Sequence, residues 1–409
     1  MKPAALLAIA TITLPAFATE KDWPEFRGKT GQGISTATNV PVKWSTTENV
    51  AWKVEVPGKG WSSPVVSAGK IYLTTAVGEP ETGATLHALC FDEKDGRLIW
   101  NTEVFKANAG ATSAIHKKNS LASPTPIATN DRLYVHFGHM GTAALDLTGK
   151  IVWKQTSLSY SPTHGNGGSP AVADGLLIFS ADSNPDPVVI ALDSATGTVR
   201  WKTPRDTQAK KKFSFSTPLV VGGEVISPGS GFVGGYDLKT GKEKWRAGYG
   251  EGYSVIPRPV VGDGMVFVSS SYDKASVKAV RLAGASGDVS ESHVAWTLQK
   301  GAPHTPSMLV SGGNLFMVSD AGIANCVDTK TGDVRWTERL PGNYSASPVL
   351  AEGRIYFQSE TGIGTVIKAD EKFESLATNA LDEPTLASPA IVDGAVIIRS
   401  ENHLWKFGK

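Results

Sequence analysis

Ser63-Pro64-Val65-Val66-Ser67-Ala68-Gly69-Lys70-Ile71-Tyr72-Leu73 reads as a short strand, a tight turn at Ala68-Gly69 and a second strand. The spacing of Pro64 to Gly69 then recurs along the chain. It returns at Pro170 and Gly175, Pro218 and Gly223, Pro259 and Gly264, Pro348 and Gly353, and Pro389 and Gly394. Pro126, with Asp131 in the glycine's place, and a looser copy at Pro306 bring the total to eight. Internal repetition at this period, with strand character throughout, is the signature of a closed ring of small sheets rather than a helical solenoid.

A second half follows in most copies. Asp146, Gly149 and Trp153 carry it, as do Asp193, Gly197 and Trp201; Asp237, Gly241 and Trp245; and Asp328, Gly332 and Trp336, with Asp92, Gly96 and Trp100 a near match. The aspartate can cap its own turn, the glycine supplies positive φ, and the tryptophan is placed to fill the cleft between neighbouring sheets. Copy five is interrupted between Gly287 and Trp296, and copy seven has Leu376 where a tryptophan is expected. Copy eight ends at Trp405 to Phe407 without an outer strand, while Glu48 to Val56 reads as an outer strand with no copy of its own. Pairing the two closes the ring. The expectation is an all-β, eight-bladed β-propeller forming one domain, residues 19–409, with the strand near 48–56 completing the last blade.

The chain has 409 residues, with 40 basic and 39 acidic side chains and a net charge of +1. That balance gives no electrostatic case for nucleic acid. Residues 1–18 read as a cleaved signal peptide: Lys2, an apolar run from Ala4 to Leu14, then Pro15 and Ala16-Phe17-Ala18. The run is too short for an anchor, and no cysteine follows it for a lipid. Removing it takes away Lys2 and no acid, so 39 basic residues face 39 acidic ones. The expectation is a periplasmic or secreted protein with no membrane span, monomeric.

The repeat unit resembles the PQQ-like β-propeller family, from about residue 44 to the C-terminus. The resemblance extends to exported bacterial propellers through Trp23-Pro24-Glu25-Phe26-Arg27-Gly28 and Gly58 to Pro64. It implies one of three roles: a binding or scaffolding module, a quinoprotein alcohol dehydrogenase using PQQ (pyrrolo-quinoline quinone) with calcium, or an outer-membrane protein assembly scaffold. The quinoproteins carry an adjacent cysteine pair, whereas Cys90 and Cys326 stand far apart in the same slot of blades one and six. They read as buried thiols beyond disulfide reach. No cofactor is expected on this reading, with PQQ and calcium the alternative.

Other constellations are thin. His136 and His139 could offer imidazoles to a metal, and Asp182-Ser183-Asn184-Pro185-Asp186 begins like a calcium loop, with Pro187 where glycine is needed. The expected site is the funnel mouth, because the segments before each repeat proline enter the innermost strands. They supply Trp61, His116, Asn119, His164, Asn166, Lys212, Tyr253, Arg258, His304 and Tyr344. Two readings stand side by side: these groups cap exposed backbone, or they bind a polar or anionic ligand or a partner's peptide loop. The same segments contain no Asp or Glu, which counts against a quinone site with its ion.

Overall fold

In a computed structural model, which describes residues 21–79, 81–109 and 115–408, eight antiparallel sheets follow one another around a ring. The expected signal peptide lies outside the described residues. Each blade runs from an innermost strand to an outermost one. Blade 3 is typical, with Ala171–Ala173, Leu176–Ala181, Val188–Asp193 and Val199–Pro204. The repeat glycine allows the first turn: Ala68 and Gly69 have φ of 50° and 74°, the primed hairpin geometry that suits twisted strands. In the second turn Asp193 accepts hydrogen bonds from the amides of Ala195 and Thr196. Its pKa lies below the usual carboxylate value because the Thr196 hydroxyl, and then these amides, bond the charged form.

A register shift beside each outer-strand tryptophan turns the ring into the seam. Trp52, Trp100, Trp153, Trp201, Trp296 and Trp336 each donate Nε1–H to a carbonyl in the next blade's turn, at 2.8–3.2 Å. Blade 4 departs from this. The insertion in copy five lays Gly287–Asp288 parallel to Trp245 and Arg246 as a fifth strand, and Trp245 donates instead to Glu224 of its own blade. Trp296 still docks, so the insertion displaces its neighbour's tryptophan and not its own.

At blade 7 the missing tryptophan is supplied from elsewhere. Trp44 is buried, with ring centroids 6.3 Å from Tyr356 and 5.8 Å from Phe407, filling the seam between blades 7 and 8. The ring then closes as expected: Val50–Glu55 pairs antiparallel with His403–Gly408, Val50 opposite Phe407 and Glu55 opposite His403. The looseness of the sixth copy has a definite size. Leu309–Ser311 forms the innermost strand of blade 6, so Met308 holds the proline slot and Pro306 lies two residues early.

A belt of hydroxyls joins the blades where the innermost strands begin. Ser63 donates its amide to Thr125 Oγ1, Thr125 to Ser169 and Ser169 to Thr217; Arg258 donates to Ser307, Ser307 to Ser347, Ser347 to Ser388, and Ser388 back to Ser63, at 2.8–3.1 Å. The belt is interrupted only between Thr217 and Arg258, where the repeat has no hydroxyl.

Below the belt the channel is crossed by the chain's own N-terminal stretch. Trp23 pairs with Val66 in blade 1, and Pro24 accepts the amide of Ala128 in blade 2. Gln32 Oε1 accepts the amide of Val261 in blade 5, and Ile34–Ser35 runs parallel to Val349–Ala351 of blade 7. The propeller is therefore a cup, closed at one end.

Candidate functional site

The cup opens above Phe26 as a cavity of about 440 Å³. Trp61, Phe215, Tyr253, Tyr272, His116 and His164 contribute its rings, and the hydroxyl belt lines it. Around the mouth the rings form a nearly continuous chain. His116 meets His164 at 5.8 Å, His164 meets Phe213 at 5.5 Å, and Phe213 meets Tyr253 at 5.5 Å. Tyr253 then meets Tyr272 at 6.2 Å and Tyr272 stacks on His304 at 4.5 Å. Edge-to-face and offset contacts of this kind hold each ring in place.

One cation crosses the mouth. Lys118, in the connection from blade 1 to blade 2, reaches the far side of the ring, 2.7 Å from Glu360 and 3.7 Å from Asp320. Burial works against its charge, but Glu360 and then Asp320 outweigh burial and hold the ammonium pKa above its usual value. His116 is shifted the other way, by burial first and then by His164 and Lys118, so its imidazole is neutral at pH 7.

The ten expected residues divide. Trp61, His116, Asn119, His164 and Tyr253 line the cavity together. His304 sits behind them, stacked on Tyr272, its amide donating to Asp320. The other four lie elsewhere. Asn166 is buried behind the wall, donating to the carbonyl of Phe137. Lys212 contributes its amide to Asn184. Tyr344 is wholly buried and donates to Pro341. Arg258 points down rather than up, bonding Phe26 O and Glu25 Oε1 beneath the floor. An arginine in a belt position is drawn to the nearest carboxylate, and the N-terminal stretch provides one.

Asp320 and Glu360 were not among the expected residues. They come from the loops between the second and third strands, not from the entry segments, and Ser319-Asp320-Ala321-Gly322 and Ser359-Glu360-Thr361-Gly362 are the matching pair that marks them in the sequence. So carboxylates do reach the rim, although none lines the cavity.

The lesser constellations are used internally. His136 is buried with Nδ1 2.8 Å from Thr142 Oγ1, and His139 lies 3.2 Å from Asn166, so the two imidazoles do not converge. Asp182 is committed to Arg205 at 2.8 Å and Asn184 to Lys212, which leaves no calcium loop. Cys90 and Cys326 are buried thiols, pushed up to about 12 by burial. Among the described residues no group of three His, Cys, Asp or Glu could hold a metal, and no helix is long and apolar enough to cross a membrane.

The divalent ion that polarises a bound quinone's carbonyl needs several oxygen ligands, carboxylates among them. The lining offers one ammonium, already neutralised by Glu360, and no carboxylate. This donor set does not fit PQQ with its ion.

Comparison with known proteins places the chain. The family model described as outer membrane protein assembly factor BamB, a PQQ-repeat family, matches residues 34–146, 84–323 and 276–375. Tetrathionate hydrolase of Acidithiobacillus ferrooxidans is 24% identical over 47% of this chain and 37% of its own length. The lanthanide-dependent methanol dehydrogenase of Methylorubrum extorquens is 32% identical over 32% of this chain and 24% of its own. The matches thus span well under half of these relatives. Among solved structures, BamB from Moraxella catarrhalis superposes with a TM-score of 0.60 at 12% identity, over 88% of this chain and 97% of that one. A europium-containing methanol dehydrogenase superposes with 0.67 at 10% identity, over 95% and 98%. At such identities the likeness shows the fold, and the repeat match together with it shows that this chain belongs to the PQQ-like β-propeller family.

Proposed function

We propose that the protein is a binding module whose cup receives a small ligand with a flat, ring-sized face. The observation that carries this reading is the cavity above Phe26: closed below by the chain's own segment, walled by aromatic rings and lined by hydroxyls. Such a concave, largely apolar site with a few converging polar groups is the form that small-molecule sites take. Trp61 supplies a stacking face and Asn119 with His164 the polar edge. Export into the periplasm or beyond belongs to the same proposal and rests on the leader-like residues 1–18.

The relatives include dehydrogenases, a hydrolase and an assembly factor, and this chain's lining does not single out the chemistry of any of them. The dehydrogenase reading needs ion ligands that the cavity lacks. Ligand titration followed by tryptophan fluorescence tests the proposal. Aromatic and saccharide ligands are expected to change the emission of the native protein, and Trp61→Phe is expected to remove most of that change. A screen in which no such ligand perturbs Trp61 overturns it.

A further inference from the structure

The hydroxyl belt carries more than the blades require. All seven of its hydroxyls are buried and line the cavity. Each accepts an amide proton from the preceding blade, and among the described residues none has an acceptor of its own within hydrogen-bond distance. Seven O–H donors are therefore free around one axis. A hydroxyl that accepts from an amide is also a stronger donor, because the two bonds polarise each other.

The charges around the belt agree. Arg27 lies one residue below it, donating to the carbonyls of Met308 and Pro348, next to Ser307 and Ser347. It is buried, and among the described residues no carboxylate partners it and its Nε has no partner. Arg399 stands beside the belt at the seam of blades 8 and 1, bonded to Ser62 and to the carbonyl of Thr74, with Nε and Nη2 unpartnered. Burial lowers both guanidinium pKa values to about 9, with Arg258 adding to the effect at Arg27, so both remain cations at neutral pH. Buried cations without counter-ions are costly unless a negative charge is brought near.

We propose that the belt is an oxyanion subsite at the base of the cup, taking the sulfonate, phosphate or carboxylate head of a ligand whose body lies against the aromatic wall. It rests on the binding-cup reading and adds the head group. The hydroxyls supply directed donors, and the two arginines supply the long-range charge without direct contact.

Calorimetry on the full chain at pH 7 tests it, using benzenesulfonate, its uncharged counterpart methyl phenyl sulfone, and inorganic sulfate. Benzenesulfonate is expected to bind at least tenfold more tightly than the sulfone, and sulfate to compete with it. Ser307→Ala with Ser347→Ala is expected to weaken benzenesulfonate about tenfold and leave the sulfone unchanged. That variant also loses two interblade acceptors, so the comparison of ligands on the native protein stands as the primary measurement. Equal affinity for sulfonate and sulfone overturns the subsite while leaving the cup intact. Binding of neither compound overturns the subsite and counts against the cup as well.

Discussion

His136 shows what burial does to a single titratable group. Its ring lies 4.4 Å from that of Phe179 and its Nδ1 meets Thr142 Oγ1. Burial, with a smaller contribution from His139, lowers its pKa to about 3. Below pH 6.5 the unfolded chain takes up a proton that the native state refuses. The stability this group contributes is complete above pH 6.5 and is lost as the pH falls toward 3. By pH 4 the loss is about 3 kcal/mol. Urea unfolding at pH 7.5 and pH 4 is expected to show a smaller acid loss for His136→Gln than for the native chain, by about that amount. An unchanged acid loss would place the histidine's sensitivity elsewhere. At this scale the sequence was only half legible. The pair His136 and His139 was legible as the end of a strand beside Gly138, but the burial that sets the pKa of His136 was not, because spacing is visible in a sequence and burial is not.

At the scale of elements, the blade seams explain where the repeat can vary. Six tryptophans dock by the same ring and the same Nε1–H bond, so a blade lacking one needs a substitute. Trp44 is that substitute. Its amide donates to Asn379 Oδ1 in the outer strand of blade 7, and Asn379 in turn donates to the carbonyl of Val42. Gly364 makes room for it, since a Cβ there would come within 2.6 Å of Trp44 Cζ2. Trp44→Ala empties a buried seam and is expected to cost about 3–5 kcal/mol. Hydrogen exchange is expected to rise first in blades 7 and 8, the seam on which the ring closes. Uniform loosening of all eight blades would contradict this. The tandem repeat announced the blades, because proline, turn glycine and tryptophan recur at fixed offsets. It could not announce Trp44, which lies outside any copy, nor that the insertion of copy five would serve blade 4.

For the whole molecule, the main device is use of the N-terminal stretch twice. Its first part floors the channel, and its later strand completes blade 8 and hides the sheet edge that an open ring would expose. The strand was legible from Trp52 standing alone without a copy. The floor was not, because Trp23 to Gly33 contains no strand pattern and its bonds are to innermost strands far away in sequence. The same limit governed the site. Entry segments before each proline pointed to the mouth, and five of their ten chosen residues do line it. Arg258 was misjudged because the partner that draws it down, Glu25, lies 233 residues away.

The central claim is that a fold shared with quinoproteins here encloses a cup with a different donor set. Titration of the purified protein with PQQ and Ca²⁺, followed by absorbance and by dye-coupled alcohol oxidation, tests it most directly. The account predicts no alcohol-dependent dye reduction, whether or not the quinone enters the cup. Stoichiometric binding with alcohol-dependent dye reduction would contradict it and make the cup a redox site.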